Sequence, residues 1–282
     1  MTNDVISLVA LGKKSGGGER NFHKIIAEFE ELLGVVPVWE YIPWLSWMRR
    51  FDGVDGRIER VGRALDEFLE TVIQEHRVRE RRESDDGELD FVDILLDFQR
   101  ENGSGYFVDD NTIKAIILDM YAGGTDTTST TLEWAMTELI RNPTIMKTLQ
   151  NEVREVAGSK VEIDEKDLEK MLYLKAVIKE SLRDPLLWEK PEQFYPERFL
   201  ETSIDYKGLH FELTPFGAGR RGCPGITFAT AVFELALAKL VHKFDFELPN
   251  GVKMEELDVS ESSGLTIHKK YPLLVVVTPR TS

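Results

Sequence analysis

The sequence predicts a mainly α-helical protein with a small β part at its C-terminal end. Two observations carry that expectation. Across most of residues 21–183, and again across 226–244, apolar residues recur every three to four positions, the period of amphipathic helices. Strand-like alternation appears only near the C-terminus, and the first two hundred residues lack the strand–helix alternation that builds a parallel sheet.

Composition bounds the function. The 282 residues suffice for one large domain or two ordinary ones, and 42% hydrophobic with 30% charged residues describes a globular protein. A net charge of −15, with no basic domain, argues against a nucleic-acid partner. The single cysteine, Cys223, excludes an internal disulfide and fits a reducing compartment. The polar start at Met1 to Asp4 and the absence of ~18 consecutive apolar residues predict neither signal peptide nor membrane anchor.

In chain order, Gly16, Gly17 and Gly18 read as a flexible break. Asn21 is placed to cap a helix carrying Ile25, Ile26, Phe29, Leu32 and Leu33, closed by Gly34. Residues 39–50 hold Trp39, Trp44 and Trp47, followed by Arg49 and Arg50. They form either a loop dipping into a membrane interface or aromatic packing beneath a loop. Ile58, Val61, Leu65, Phe68, Leu69, Val72 and Ile73 predict a long helix within 54–82, whose charged end at 77–86 reads as solvated. A further helix at 91–100 is ended by residues 102–105.

Asp109 or Asp110 starts a helix that runs to about Arg141, stopped by Pro143. Within it, Gly123, Gly124 and the threonines at 125, 127, 128, 130 and 131 stand where a helix favours neither residue type. This predicts a kink or widened turn that lets something bulky approach the backbone; threonine back-bonding is the plainer alternative. Two more helices are expected, one after Pro143 and one introduced by Asp164 that reaches Leu182. Glu180 and Arg183 lie one turn apart near its end, which taken alone reads as a surface salt bridge. Beyond Arg183 periodicity stops, and Pro185, Pro191 and Pro196 punctuate a meander. The apolar run at 226–244 is a helix, and the tail, apolar at 273–277, reads as a hairpin or small sheet with residues 262–266 as its loop.

Residues 216–225 contain Gly217, Gly219, Gly222 and Gly225 together with Arg220, Arg221 and Cys223. Glycines allow positive φ and close backbone approach. Adjacent arginines and the start of a helix favour the thiolate form of the cysteine. Such a loop can present one thiolate to a flat iron cofactor. Gly217 to Gly222 also spells G-x-G-x-x-G, with possible strands at 211–213 and 244–248 and Asp245 about twenty residues on, the fingerprint of NAD(P) binding. Against it, Pro215 and Phe216 stand where a buried strand should run, and only 35 residues follow Glu247.

Together these pieces resemble the cytochrome P450 family of haem-thiolate monooxygenases, most of all plant microsomal A-type enzymes of secondary metabolism. Phe216, Gly219, Arg221, Cys223 and Gly225 match its F-x-x-G-x-R-x-C-x-G; residues 123–128 match [AG]-G-x-[DE]-T-[TS]; Glu180 and Arg183 match E-x-x-R, and Arg198 completes a Glu-Arg-Arg cluster. The resemblance implies a single partial domain over 1–282: a helical part to 183, the meander and loop at 184–225, then a helix and hairpin. It implies that Cys223 ligates the iron of haem b (iron protoporphyrin IX), with Phe216 packed by the sulfur and Gly217 and Gly225 exposing backbone N–H groups to it. Arg221 would pair with a haem propionate, Ala122 and Gly123 would leave room for oxygen and substrate, and Asp126 and Thr127 would relay protons. Glu180, Arg183 and Arg198 would be structural, and Met120, Leu265 and Thr266 would face the substrate.

By the same resemblance the chain inserts one oxygen atom from O2 into a small hydrophobic plant metabolite. Electrons would come from NADPH–cytochrome P450 reductase, at the cytosolic face of the endoplasmic reticulum, with peripheral membrane contact through Trp44 and Trp47. Departures from the family qualify this. The anchor, the proline-rich hinge, the first helices and the propionate-binding W-x-x-x-R have no counterpart, and Arg183 runs straight into Asp184 where the family carries a turn and several strands. The expectation is an N-terminally truncated, internally deleted member that could be cytoplasmic. A haem-free, inactive fragment is the main alternative, and a nucleotide-binding protein the lesser one.

Overall fold

The computed structural model describes residues 2–11, 19–80, 89–101, 108–183, 187–249, 252–262 and 265–280. Its helices are α1 (Thr2–Leu11), α2 (Glu19–Gly34), α3 (Val38–Tyr41), α4 (Val54–Glu80), α5 (Phe91–Glu101), α6 (Asp110–Arg141), α7 (Pro143–Ala157), α8 (Glu165–Leu168), α9 (Leu172–Ser181) and α10 (Ile226–Lys243). Four short strands follow: β1 (Phe244–Glu247), β2 (Glu261–Ser262), β3 (His268–Lys269) and β4 (Val276–Pro279). The predicted class, mainly α with a little β, is observed. Two compact units divide the chain: Met1–Thr127 with Ser263–Ile267, and Thr128–Ser262 with His268–Ser282.

In the first unit most of the α4 stripe is buried, namely Val61, Leu65, Leu69, Val72 and Ile73, while Ile58 and Leu33 stay exposed. Phe22 and Tyr121, outside the predicted stripes, join the packing. Phe22 of α2 stacks on Phe68 of α4 at 3.9 Å between ring centroids and meets Tyr121 of α6 edge-on at 5.0 Å. Burial of each such ring stabilises by roughly 1.5–3 kcal/mol. Arg77 ties α4 to the start of α6 by donating to both carboxylate oxygens of Asp110, at 2.9 and 2.7 Å. Those bonds hold the Asp110 carboxyl down to about 2. Arg77, in the charge run expected to be solvated, is therefore a clasp; residues 81–86 of that run, like the breaks expected at 16–18 and 102–105, lie outside the described residues.

The second unit has its own core, in which Leu139, Leu149, Val153, Leu174, Val177, Leu237 and Val241 from α6, α7, α9 and α10 are fully buried. Pro143 opens α7 at its first turn, where a missing N–H is harmless. Asp164 and Asp167 form a reciprocal capping box that starts α8.

Several expectations need correcting. α2 begins at Glu19, so Asn21 lies inside it and is not its cap. α6 is continuous α-helix through residues 122–131, so no widened turn interrupts it there. Instead the Thr127 hydroxyl donates to the Gly123 carbonyl at 2.6 Å, the back-bonding that lets a threonine sit in a helix. The helix expected from Asp164 to Leu182 is two helices, α8 and α9. The hairpin expected around residues 262–266 is present as β2 with β3, but the apolar run beyond it is not part of that hairpin: β4 pairs antiparallel with β1. Finally, Trp44 and Trp47 lie on a 3-10 helix, Pro43–Arg50, and are 79% and 63% exposed, so neither packs beneath a loop.

Candidate active site

The cysteine loop belongs to the second unit. Between Phe216 and Cys223 the chain turns back on itself: Gly217 N donates to Thr214 O at 3.0 Å, Gly222 N to Gly219 O at 3.1 Å, and Cys223 N to Phe216 O at 2.8 Å. Gly217 and Gly219 each take φ of +70°, a region costly to side chains, which is why the turn is written in glycine. The short 3-10 turn Gly219–Arg221 carries the two arginines. Cys223 emerges exposed, just ahead of α10. A Cβ on Gly225 would stand 3.8 Å from its sulfur, so backbone passes close to the thiol.

The nucleotide-binding alternative fails on local structure. Residues 211–213 form a turn where a strand is required. Asp245 is on β1, but its carboxylate is held by Arg154 at 2.7 Å.

Glu180 is the anchor of the meander. Its side chain and that of Arg183 are 0% and 8% exposed, with Arg183 Nε donating to Glu180 Oε1 at 2.7 Å. Arg198 Nε lies 2.8 Å from Glu180 Oε2, although its N–H is directed at Tyr195 O. The surface salt bridge suggested by spacing alone is thus a buried triad. The pairing rule is blind to Arg198, fifteen residues further on.

The first unit holds the other candidates. Asp126 and Thr127 are neighbours on α6, and Asp126 accepts a short hydrogen bond from the Thr266 hydroxyl. The two glycines differ in use. A Cβ on Gly124 would come within 2.7 Å of Ile6, so this glycine lets α1 approach α6, whereas nothing stands within 4 Å of Gly123. Ala122 is half-buried beside it.

Glu30 of α2 is a residue the sequence reading missed. Burial, with the charge of Asp126 added, pushes its carboxyl up to about 7, and Oε1 is buried without a hydrogen-bond partner among the described residues. Nothing in the local sequence flags it, because the burial is set by tertiary packing and the added charge of Asp126 comes from 96 positions away. A carboxyl raised in the folded state contributes stability that is full below its ordinary value of 4.5 and is lost as pH rises through about 7. Glu30→Gln should therefore be more stable than the wild type at about pH 8 and lose that advantage near pH 5, read from urea midpoints.

Does this residue set suit a haem? Among the described residues, the metal-ligand constellation His76, Asp90 and Asp93 is already satisfied. His76 Nε2 faces Asp90 at 3.0 Å, Nδ1 faces Val72 O at 2.7 Å, and the two aspartates cap each other's backbone N–H at the start of α5. Cys223 belongs to no such group. A single exposed sulfur cannot complete a metal shell alone, but it is all that an iron already held by a porphyrin's nitrogens asks of a protein. The residues fit.

Comparison with known proteins agrees. The cytochrome P450 family model matches residues 1–184 and 182–275. The chain belongs to the cytochrome P450 family. It is 59% identical to cytochrome P450 71A6 of Nepeta racemosa, over 99% of this chain and 65% of that protein. It is 50% identical to (+)-menthofuran synthase of Mentha piperita, over 100% of this chain and 64% of the relative. A solved zebrafish cytochrome P450 with abiraterone superposes with a TM-score of 0.77 at 22% identity, covering 99% of this chain and 70% of that one, which supports the P450 fold. The chain spans somewhat less than two thirds of the length of these plant P450 relatives.

The internal gap expected after Arg183 is also borne out. The two matches to the P450 model meet at residues 182–184. The alignment with P450 71A6 runs over 332 positions against 282 residues here, so at least 50 of its positions face no residue.

Proposed function

We propose that this chain is the haem-thiolate part of a plant-type monooxygenase, with Cys223 the ligand to haem b. The observation that carries this is the lone exposed thiol at the end of a glycine turn closed by Phe216. Haem, when bound, supplies the activation of O2 and the insertion of one oxygen atom into substrate. The chain's own residues do the rest. Phe216 walls the sulfur, and Gly225 lets backbone come close enough to tune it. Gly217, whose N–H was expected at the sulfur, instead donates it to Thr214 O at 3.0 Å and serves by its positive φ in the turn. Arg221 takes a propionate by a charge-assisted bond. Ala122 and Gly123 leave space for the reacting molecules. The Asp126 carboxylate and Thr127 hydroxyl hold and pass protons, an acid and a hydroxyl being the minimum shuttle. The whole chain acts as one partial domain.

The substrate class we favour is a small hydrophobic plant metabolite, in keeping with the name of the Mentha relative. Electrons come from NADPH–cytochrome P450 reductase at the endoplasmic reticulum. No helix among the described residues is long and apolar enough to cross a membrane. A surface suited to bilayer contact is offered by Trp44 and Trp47, flanked by exposed Tyr41 and Phe51 and by Arg49 and Arg50. Replacing both tryptophans by alanine should weaken binding to anionic vesicles by at least ~10-fold, since each buried aromatic contributes about 1.5–3 kcal/mol. Unchanged co-sedimentation would remove this contact.

The second reading, an inactive fragment, is favoured by the missing 50 or more positions, because a site open to water suits this chemistry poorly. Incubation with haem, reductase, NADPH, ¹⁸O2 and a monoterpene separates them. The monooxygenase reading expects one labelled oxygen in the product. No bound haem and no labelled product supports the inactive, haem-free fragment.

A further inference from the structure

The loop that carries Cys223 does not stand alone. The bend at residues 206–209 lies directly on its backbone. At Gly208, φ is +83°, and a Cβ there would meet Ala218 Cα and Gly217 O, each at 3.1 Å. Carbon contacts settle near 3.5–4.0 Å, so this position admits hydrogen and nothing larger unless the loop moves. Two residues earlier, the Tyr206 ring packs edge-on against Phe216, with 5.8 Å between centroids and 72° between planes. Phe216 is the residue whose carbonyl accepts the Cys223 N–H at 2.8 Å.

Tyr206 also reaches past the cysteine. Burial comes first among the causes pushing its phenol up to about 12, then the charges of Glu234 and Asp205, opposed by a hydrogen bond with the Thr230 side chain. Thr230 and Glu234 belong to α10, the helix that follows the cysteine. Tyr206 therefore meets the residue before the turn with its ring and the helix after it with its hydroxyl. The bend itself is fixed from its own ends. Asp205 N donates to His210 Nδ1 at 3.0 Å, Lys207 N to Asp205 Oδ1 at 3.0 Å, and Lys179 Nζ to Ile204 O at 2.7 Å.

We propose that Tyr206 and Gly208 are positioning residues for the Cys223 thiolate, Gly208 by letting the bend seat on Gly217 and Ala218, and Tyr206 by bracing Phe216 against α10. The assignment of purpose rests on Cys223 being the haem ligand, but the mechanical coupling does not. Cys223 is the chain's only cysteine, so the alkylation rate of the haem-free protein reports this loop and nothing else. Iodoacetamide kinetics against pH on wild type, Tyr206→Phe, Tyr206→Ala and Gly208→Ala test it, at a temperature where thermal unfolding shows every variant folded.

Tyr206→Ala and Gly208→Ala are expected to change the rate by about threefold or more, or to shift its pH midpoint by about half a unit, with Tyr206→Phe, which keeps the ring against Phe216 but loses the hydrogen bond to Thr230, between wild type and Tyr206→Ala. In the haem-loaded, reduced, carbon-monoxide-bound form, the same two variants should lose thiolate band relative to wild type. A variant that does not fold is replaced by Tyr206→Leu, which keeps apolar volume without the ring and should behave as the alanine does. Wild-type alkylation profiles in both the Tyr206→Ala (or Leu) and Gly208→Ala proteins would overturn the proposal. Should wild type bind no haem, the ligand reading falls, and the alkylation profiles alone decide the coupling.

Discussion

Glu180→Ala is expected to destabilise the second unit by about 3–5 kcal/mol, enough to unfold a marginally stable domain. Removing the carboxylate strands two guanidinium groups in a buried place, Arg183 at 2.7 Å and Arg198 at 2.8 Å from its oxygens. It also deprives the Tyr195 N–H of its acceptor at 2.9 Å. The arginines in turn hold the meander by its carbonyls: Arg183 donates to Pro191 O at 2.6 Å and Gln193 O at 3.0 Å, and Arg198 to Glu189 O at 2.8 Å. The same meander runs into the cysteine loop, so the loss should spread to Cys223. Chemical denaturation of Glu180→Ala, Arg198→Ala and the double variant checks this. The double variant should cost less than the sum of the singles, because the Arg198 charge that Glu180→Ala leaves unpaired is gone in the double, although Arg183 still lacks its partner. Strictly additive effects would mean the triad is not a unit.

The triad shows what a sequence can and cannot display. Helices are written as local periodicity, and α4, α6, α7 and α10 fall close to where the apolar spacing puts them. The loop is written as glycines whose positive φ the fold then uses. Tertiary facts are not written locally. Gly124 looked like part of a helix break and proved to be the seat of Ile6 from a distant helix. The tail strand chose β1, some thirty residues back, over a neighbour. Glu30 and Gly208 matter only through residues that folding brings beside them. Motifs mark Cys223, Asp126 with Thr127, and Glu180 with Arg183 because each has fixed local spacing; Arg198's place beside Glu180 and the other supports have none.

Cys223→Ala is expected to lower haem affinity by roughly 100-fold, or about 2.7 kcal/mol, since the ligand itself should matter at least as much as groups behind a ligand. The thiol is exposed and lies outside the hydrophobic clusters, so alanine should leave the fold intact and the unfolding midpoint close to wild type. Haem titration followed by absorption, with wild type and variant side by side, reads the difference. Equal affinity would mean that haem associates with apolar surface rather than with this sulfur.

Whether this chain presents a thiolate to iron is read most directly from the absorption spectrum of the haem-loaded, reduced, carbon-monoxide-bound protein. Wild type is expected to show the strongly red-shifted band of a thiolate-ligated haem, and Cys223→Ala to lack it. A wild-type spectrum without that band, or one identical to the variant's, would contradict thiolate ligation.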